Sequence, residues 1–136
     1  MFEKKFFKMQ AIENTKGKEI EIGEVYSNWK KAVMTNDIQF LRNFYPDDFS
    51  SVNGCGITKN KSEVLTRLAF KDIVYLCWTD NEVIFDVWEE NAILKSRQSL
   101  DVELYGLPLK INREIILTFE QWNSKWILKN IKETNF

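Results

Sequence analysis

The hydrophobic pattern of this chain changes period once, near residue 70, and that change limits the possible folds more than any other feature. Before it, Ile22, Val25, Tyr26, Trp29, Ala32 and Val33 recur at three- and four-residue steps, the signature of a helix with one apolar stripe. Glu24, Asn28, Lys30 and Lys31 occupy the opposite face. After it, the step is two, in segments rich in β-branched and aromatic residues and separated by turn residues. Helices first and hairpin-linked strands second specify an α+β layout with an antiparallel sheet, not alternating βαβ units.

Local signals divide the chain further. Asp37 is placed to cap a second helix that turns Ile38, Leu41 and Phe44 inward and stops at Pro46, because the residue before proline avoids helical geometry. Phe49 to Val52 reads as a short strand, and Asn53-Gly54-Cys55-Gly56 as a turn. Asn60 and Glu63 have capping-box spacing and open a third helix, burying Val64, Leu65 and Leu68 and running to about Ala69. Strands are predicted at Ile73–Thr79, Val83–Trp88, Ala92–Leu104, Lys110–Trp122 and Trp126–Lys132. The turns between them fall at Asp80-Asn81, Glu89-Glu90-Asn91, Gly106 with Pro108, and Asn123-Ser124. Strands longer than about ten residues exceed the usual length and tend to bend, often at bulges, and a bent sheet cups a helix. The expected architecture is three N-terminal helices packed on a strongly bent antiparallel sheet, with a cavity between the long helix and the concave face. Residues 1–18 read as a lead-in and 19–136 as the domain.

The absence of histidine from all 136 residues removes much catalytic chemistry. Ser-His-Asp and Cys-His arrangements are impossible, as are zinc sites that use histidine. Any acid or base must be Asp, Glu, Lys, Tyr or Cys. Cys55 and Cys77 lie in different elements without metal-ligand spacing, so free thiols are expected, and neither a metal nor a cofactor is implied. A net charge of −1 argues against nucleic acid as a partner. No stretch approaches the roughly 18 apolar residues of a membrane span, and no signal-peptide core follows the first residues. The expected location is cytoplasmic. Met1–Met9 interleaves three lysines with three phenylalanines, but it is short and holds Glu3, so it reads as a packed or frayed segment rather than a membrane-surface helix.

Alternation along the strands nominates a site. On Ala92–Leu104 the even positions are apolar and inward, interrupted by Ser96 and Gln98. Buried polar groups need partners, either a ligand or neighbouring side chains. On Lys110–Trp122 the inward odd positions are Ile111, Ile115, Leu117 and Phe119, with Arg113 among them. Such an arginine pairs a ligand carboxylate or, more often, snorkels to the rim. On Val83–Trp88 the odd positions point inward, which leaves Ile84 and Trp88 on an outer face apolar enough for a partner surface. Tyr26 and Trp29 of the long helix and Trp78 of the sheet edge are expected to face the cavity. The candidate ligand-binding set is Tyr26, Trp29, Trp78, Ser96, Gln98, Arg113 and Phe119, and ordinary core packing is the competing explanation for its aromatic members. Asp47 and Asp48, after Pro46, are the paired carboxylates expected near the cavity mouth, and Asp after Pro is also ordinary turn chemistry. Tyr26 and Asp48 are the candidate acid/base residues, since a carboxyl in an apolar pocket can have a raised pKa.

Residues 25–37, Leu41, Tyr45-Pro46-Asp47-Asp48-Phe49 and Asn53-Gly54-Cys55-Gly56 together resemble the SnoaL-like branch of the nuclear transport factor 2-like superfamily, much of it of unknown function. The matching features are Trp29 and Ala32 in the first helix, Asp37 at the second, Asp47-Asp48-Phe49 entering the first strand, Gly56 ending a turn and Trp126 opening the last strand. The similarity covers roughly residues 20–134 and concerns turn and core positions. It implies a cone-shaped α+β barrel, a central pocket, and homodimers through the outer sheet face. Enzymes of the superfamily include ketosteroid isomerases, polyketide cyclases and scytalone-type dehydratases. The last kind needs an Asp/His arrangement that this chain cannot build. Three functions follow in order: binding of a small apolar or carboxylate-bearing molecule, isomerase or cyclase chemistry through Tyr26 or Asp48, and a structural homodimerisation module.

Overall fold

The computed structural model describes residues 9–135, with side chains described from residue 17. The Lys- and Phe-rich start lies outside the described residues apart from Met9. Helix α1 spans Met9–Met34, so helical backbone begins before the apolar stripe does. Among the described residues, no helix is long and apolar enough to cross a membrane. The stripe is buried as its spacing requires, with Ile22, Tyr26, Trp29, Ala32 and Val33 in the core. Helix α2 (Ile38–Phe44) is capped by the Asp37 side chain, which accepts from the Phe40 N–H. Strands β1 (Ser50–Val52) and β2 (Thr58–Asn60) form a small hairpin before helix α3 (Lys61–Ala69). The capping box at Asn60 and Glu63 is present in both directions.

The second half consists of four long strands, β3 (Ile73–Trp88), β4 (Asn91–Leu104), β5 (Leu107–Trp122) and β6 (Lys125–Asn135). With β1 and β2 they make one six-stranded sheet in the order β2-β1-β6-β5-β4-β3. The cone-shaped α+β expectation holds, with two corrections. The sheet is mixed, because β1 pairs parallel to β6, and it does not close on itself. The turns Tyr105-Gly106 and Asn123-Ser124 have positive φ at both central residues, as tight hairpins demand, so Pro108 belongs to β5 and not to the turn.

The larger correction concerns Asp80-Asn81. These residues are not a hairpin turn: β3 runs through them, with register shifts against β4 between Tyr75 and Cys77 and between Asp80 and Glu82. Each bulge adds one residue and reverses which parity faces inward. Ile73 and Tyr75 therefore face in, then Trp78 and Asp80, then Val83, Phe85 and Val87. Two bulges put one tryptophan and one carboxylate on the inner surface of an otherwise odd-faced strand.

Candidate functional site

The inner surface has two regions. Around Leu94, Ile115, Leu117, Phe119 and Leu128 it is a filled core under α1 and α2. Towards the β4–β5 hairpin it opens into a cavity of about 450 Å³, within the range of small-molecule pockets. The walls come from α1 (Trp29, Val33), α3 (Arg67, Leu68), β3 (Tyr75, Trp78) and β5 (Leu109, Ile111, Arg113), with the β1–β2 hairpin at the lip.

A buried polar cluster stands behind this wall. Asp80 Oδ1 accepts from the Tyr26 and Ser96 hydroxyls, each at 2.6 Å, and more weakly from Trp78 Nε1 at 3.3 Å. Asp80 Oδ2 accepts from Lys30 Nζ at 2.9 Å. Gln98 Nε2 donates to the Tyr26 hydroxyl at 3.0 Å, and Arg113 Nε donates to Gln98 Oε1 at 2.8 Å. Donor directions are consistent along the chain: Arg113 to Gln98, Gln98 to Tyr26, Tyr26 to Asp80. Burial works against the Asp80 anion, but hydrogen bonds from Ser96, Tyr26 and Lys30 outweigh it and hold its pKa below the usual value. Burial, and then the Asp80 charge, push the Tyr26 phenol well above the ordinary tyrosine range.

Arg113 links cluster and cavity. It is 8% exposed, its guanidinium lies 5.3 Å from the Trp78 ring centre and 5.8 Å from that of Tyr75, and Nη1 is 3.7 Å from Glu133. The snorkelling expectation is overturned because Gln98 and the two rings give the guanidinium partners inside the fold. Arg67 also lines the cavity, and its buried Nε has no hydrogen-bond partner among the described residues. With Lys59 and Lys110 against Glu133, charge at the cavity is predominantly positive.

The candidate residues thus separate into three groups. Trp29, Trp78 and Arg113 line the cavity. Tyr26, Ser96 and Gln98 are buried beside it, bonded to Asp80 and to each other. Phe119 is corrected to core: it is fully buried, packs on Phe44 at 6.4 Å, and does not line the cavity. Asp47 and Asp48 are corrected as well, since both carboxylates point to solvent away from the cavity. Asp48 accepts from Lys129 Nζ at 2.7 Å, and that contact lowers its pKa rather than raising it. Cys55 and Cys77 are free and exposed.

Asp80, Lys30, Tyr75, Arg67 and Glu133 were not nominated by the sequence. Asp-Asn between two apolar runs has the composition of a turn, and only the bulges make it strand. A usable signal existed: Trp78 sits at even parity between odd-faced runs, which requires a shift of register on either side.

No family model matches the chain, and no curated protein matches it in sequence. Solved structures do match in fold. An NTF2-like protein from Cytophaga hutchinsonii superposes with a TM-score of 0.82 at 14% identity, covering 87% of this chain and 98% of that one. An NTF2-like protein of unknown function in nutrient uptake from Rhodospirillum rubrum gives 0.80 at 14% identity over 85% and 98%. An NTF2-like protein with a cystatin-like fold from Novosphingobium aromaticivorans gives 0.72 at 11% identity over 94% and 88%. At these identities the likeness concerns the fold.

Proposed function

We propose that this chain of NTF2-like fold binds a small, largely apolar molecule bearing a carboxylate in the cavity, without transforming it. The observation that carries this reading is Arg113, a nearly buried guanidinium packed beside two neighbouring aromatic rings, fixed through Nε by Gln98 and with Nη1 3.7 Å from Glu133. A guanidinium held this way loses little freedom on meeting a carboxylate. Arg67 adds a second cation, whose Nε has no hydrogen-bond partner among the described residues. The isomerase or cyclase alternative gains no support. Neither Tyr26 nor Asp48 is among the residues lining the cavity, and Tyr26 already donates to Asp80.

Carboxylates, and not their matched amides, are expected to raise the melting temperature in a thermal-shift series. Arg113→Met should weaken binding by about tenfold to a hundredfold, the loss of one charge-assisted hydrogen bond, with Arg113→Lys intermediate. If no carboxylate stabilises the native protein, the reading fails.

We also propose self-association through the outer sheet face, supported by the exposed Ile84 and the half-buried Trp88, Ile93 and Ile116 on that surface. Sedimentation at micromolar concentration should give a dimer, and Ile84→Lys a monomer. A native monomer would end this proposal.

A further inference from the structure

The inward face of β5 changes character steadily along its length. Leu107 is 70% exposed, Leu109 is 46% exposed, Ile111 is half-buried, and Arg113 is nearly enclosed. These are alternate residues of one strand whose pairing with β4 is unbroken, so they stand in one row. Six steps of extended chain make that row about 20 Å long. The row runs from open solvent beside the hairpin tip, across apolar side chains, to a cation. Ile57, also exposed, stands at the cavity lip, and Val102 and Leu104 of β4 flank the row within the cavity. A compact polar acid would leave this apolar approach unused, and a neutral hydrocarbon would leave Glu133 as the one carboxylate among four cations in the cavity lining.

We propose that the ligand is a single-chain amphiphilic carboxylate of the fatty-acid class, bound carboxylate-inward at Arg113 with its hydrocarbon chain running outward over Ile111, Leu109 and Leu107. This rests on the carboxylate-binding reading above and adds the ligand class and its orientation. The positive balance of the lining fits the head, and the graded exposure fits a chain whose far end reaches the surface.

The test is calorimetric titration of the full chain with butyrate, decanoate, decanol and decyltrimethylammonium, each below its micellar concentration. Decanoate should bind at least about tenfold more tightly than butyrate through its added methylenes, and about tenfold more tightly than decanol or the ammonium through its charge. Leu109→Asn, which removes apolar surface without adding charge, should weaken decanoate at least about fivefold and butyrate by a smaller factor, and Leu107→Asn should act in the same direction with a smaller effect. Decanoate spin-labelled at its methyl end should broaden the methyl resonances of Leu107 and Leu109 before those of Ile115, the next inward residue of the row beyond Arg113. Equal affinities for butyrate and decanoate, or equal losses of both acids in Leu109→Asn, would overturn the amphiphile and leave carboxylate binding standing. Broadening centred on Ile115 would overturn the orientation. Decanol binding as well as decanoate, or no binding by either acid, would remove both readings.

Discussion

Asp80→Ala is expected to lower the unfolding free energy by about 3 kcal/mol, a large share of the roughly 5–15 kcal/mol that holds a domain of this size. The substitution strands Tyr26, Ser96 and Lys30 together, since all three donate to this carboxylate. The effect is smaller than for a fully buried pair because the Asp80 and Lys30 side chains remain 18% and 25% exposed. Asp80→Asn should recover only part of the loss, since an amide offers one acceptor where the cluster needs two. Linkage gives a second signature. The folded-state pKa of Asp80 is depressed, so its contribution is complete above the unfolded value near 3.8 and disappears as pH falls through the lower folded value. Native stability should therefore drop more steeply below about pH 4 than that of Asp80→Ala. Urea unfolding of both proteins between pH 7 and pH 2 measures both effects. A difference under 1 kcal/mol at neutral pH would show that the cluster does not organise the fold.

The second large effect is expected at Phe119. Phe119→Ala should cost about 3–5 kcal/mol, because a fully buried ring is deleted from a region where Ala92, Leu117 and Leu128 are also fully enclosed. Phe119→Leu, at about 1–2 kcal/mol, keeps the protein folded for binding measurements. Its affinity for carboxylates should match the native protein, since the residue supports the closed end of the cone and not the cavity. A clear loss of affinity in Phe119→Leu would return the residue to the binding set.

Ser96, Gln98 and Arg113 illustrate how far the sequence could be read. Alternation placed all three on the inner face, and all three are buried there. It could not say whether they meet a ligand or one another. The structure answers that Gln98 and Ser96 are consumed by Tyr26, Asp80 and Arg113, which leaves the arginine as the member that lines the cavity. Trp29 and Trp78 were nominated as cavity residues, and they line it, edge to face at 5.5 Å. Asp48 was nominated with Asp47 as a paired carboxylate near the expected cavity mouth, and its carboxylate instead meets Lys129 at the surface, a partner 81 positions away.

The hydrophobic periods on either side of residue 70 determined the order of helices and strands and the faces of α1, β4 and β5, and Asp37 and Asn60 determined the caps of α2 and α3. Those features depend on contacts a few residues apart or on strict alternation, so they are written locally. Two things were decided only by tertiary structure. The bulges of β3 exist because that strand must follow β4 around the bend, and they carry Asp80 inward to residues 16 and 54 positions away in sequence. The parallel pairing of β1 with β6 joins segments some 80 residues apart. No short-range pattern encodes either, because in both cases the deciding partner is another strand and not the residue next in line.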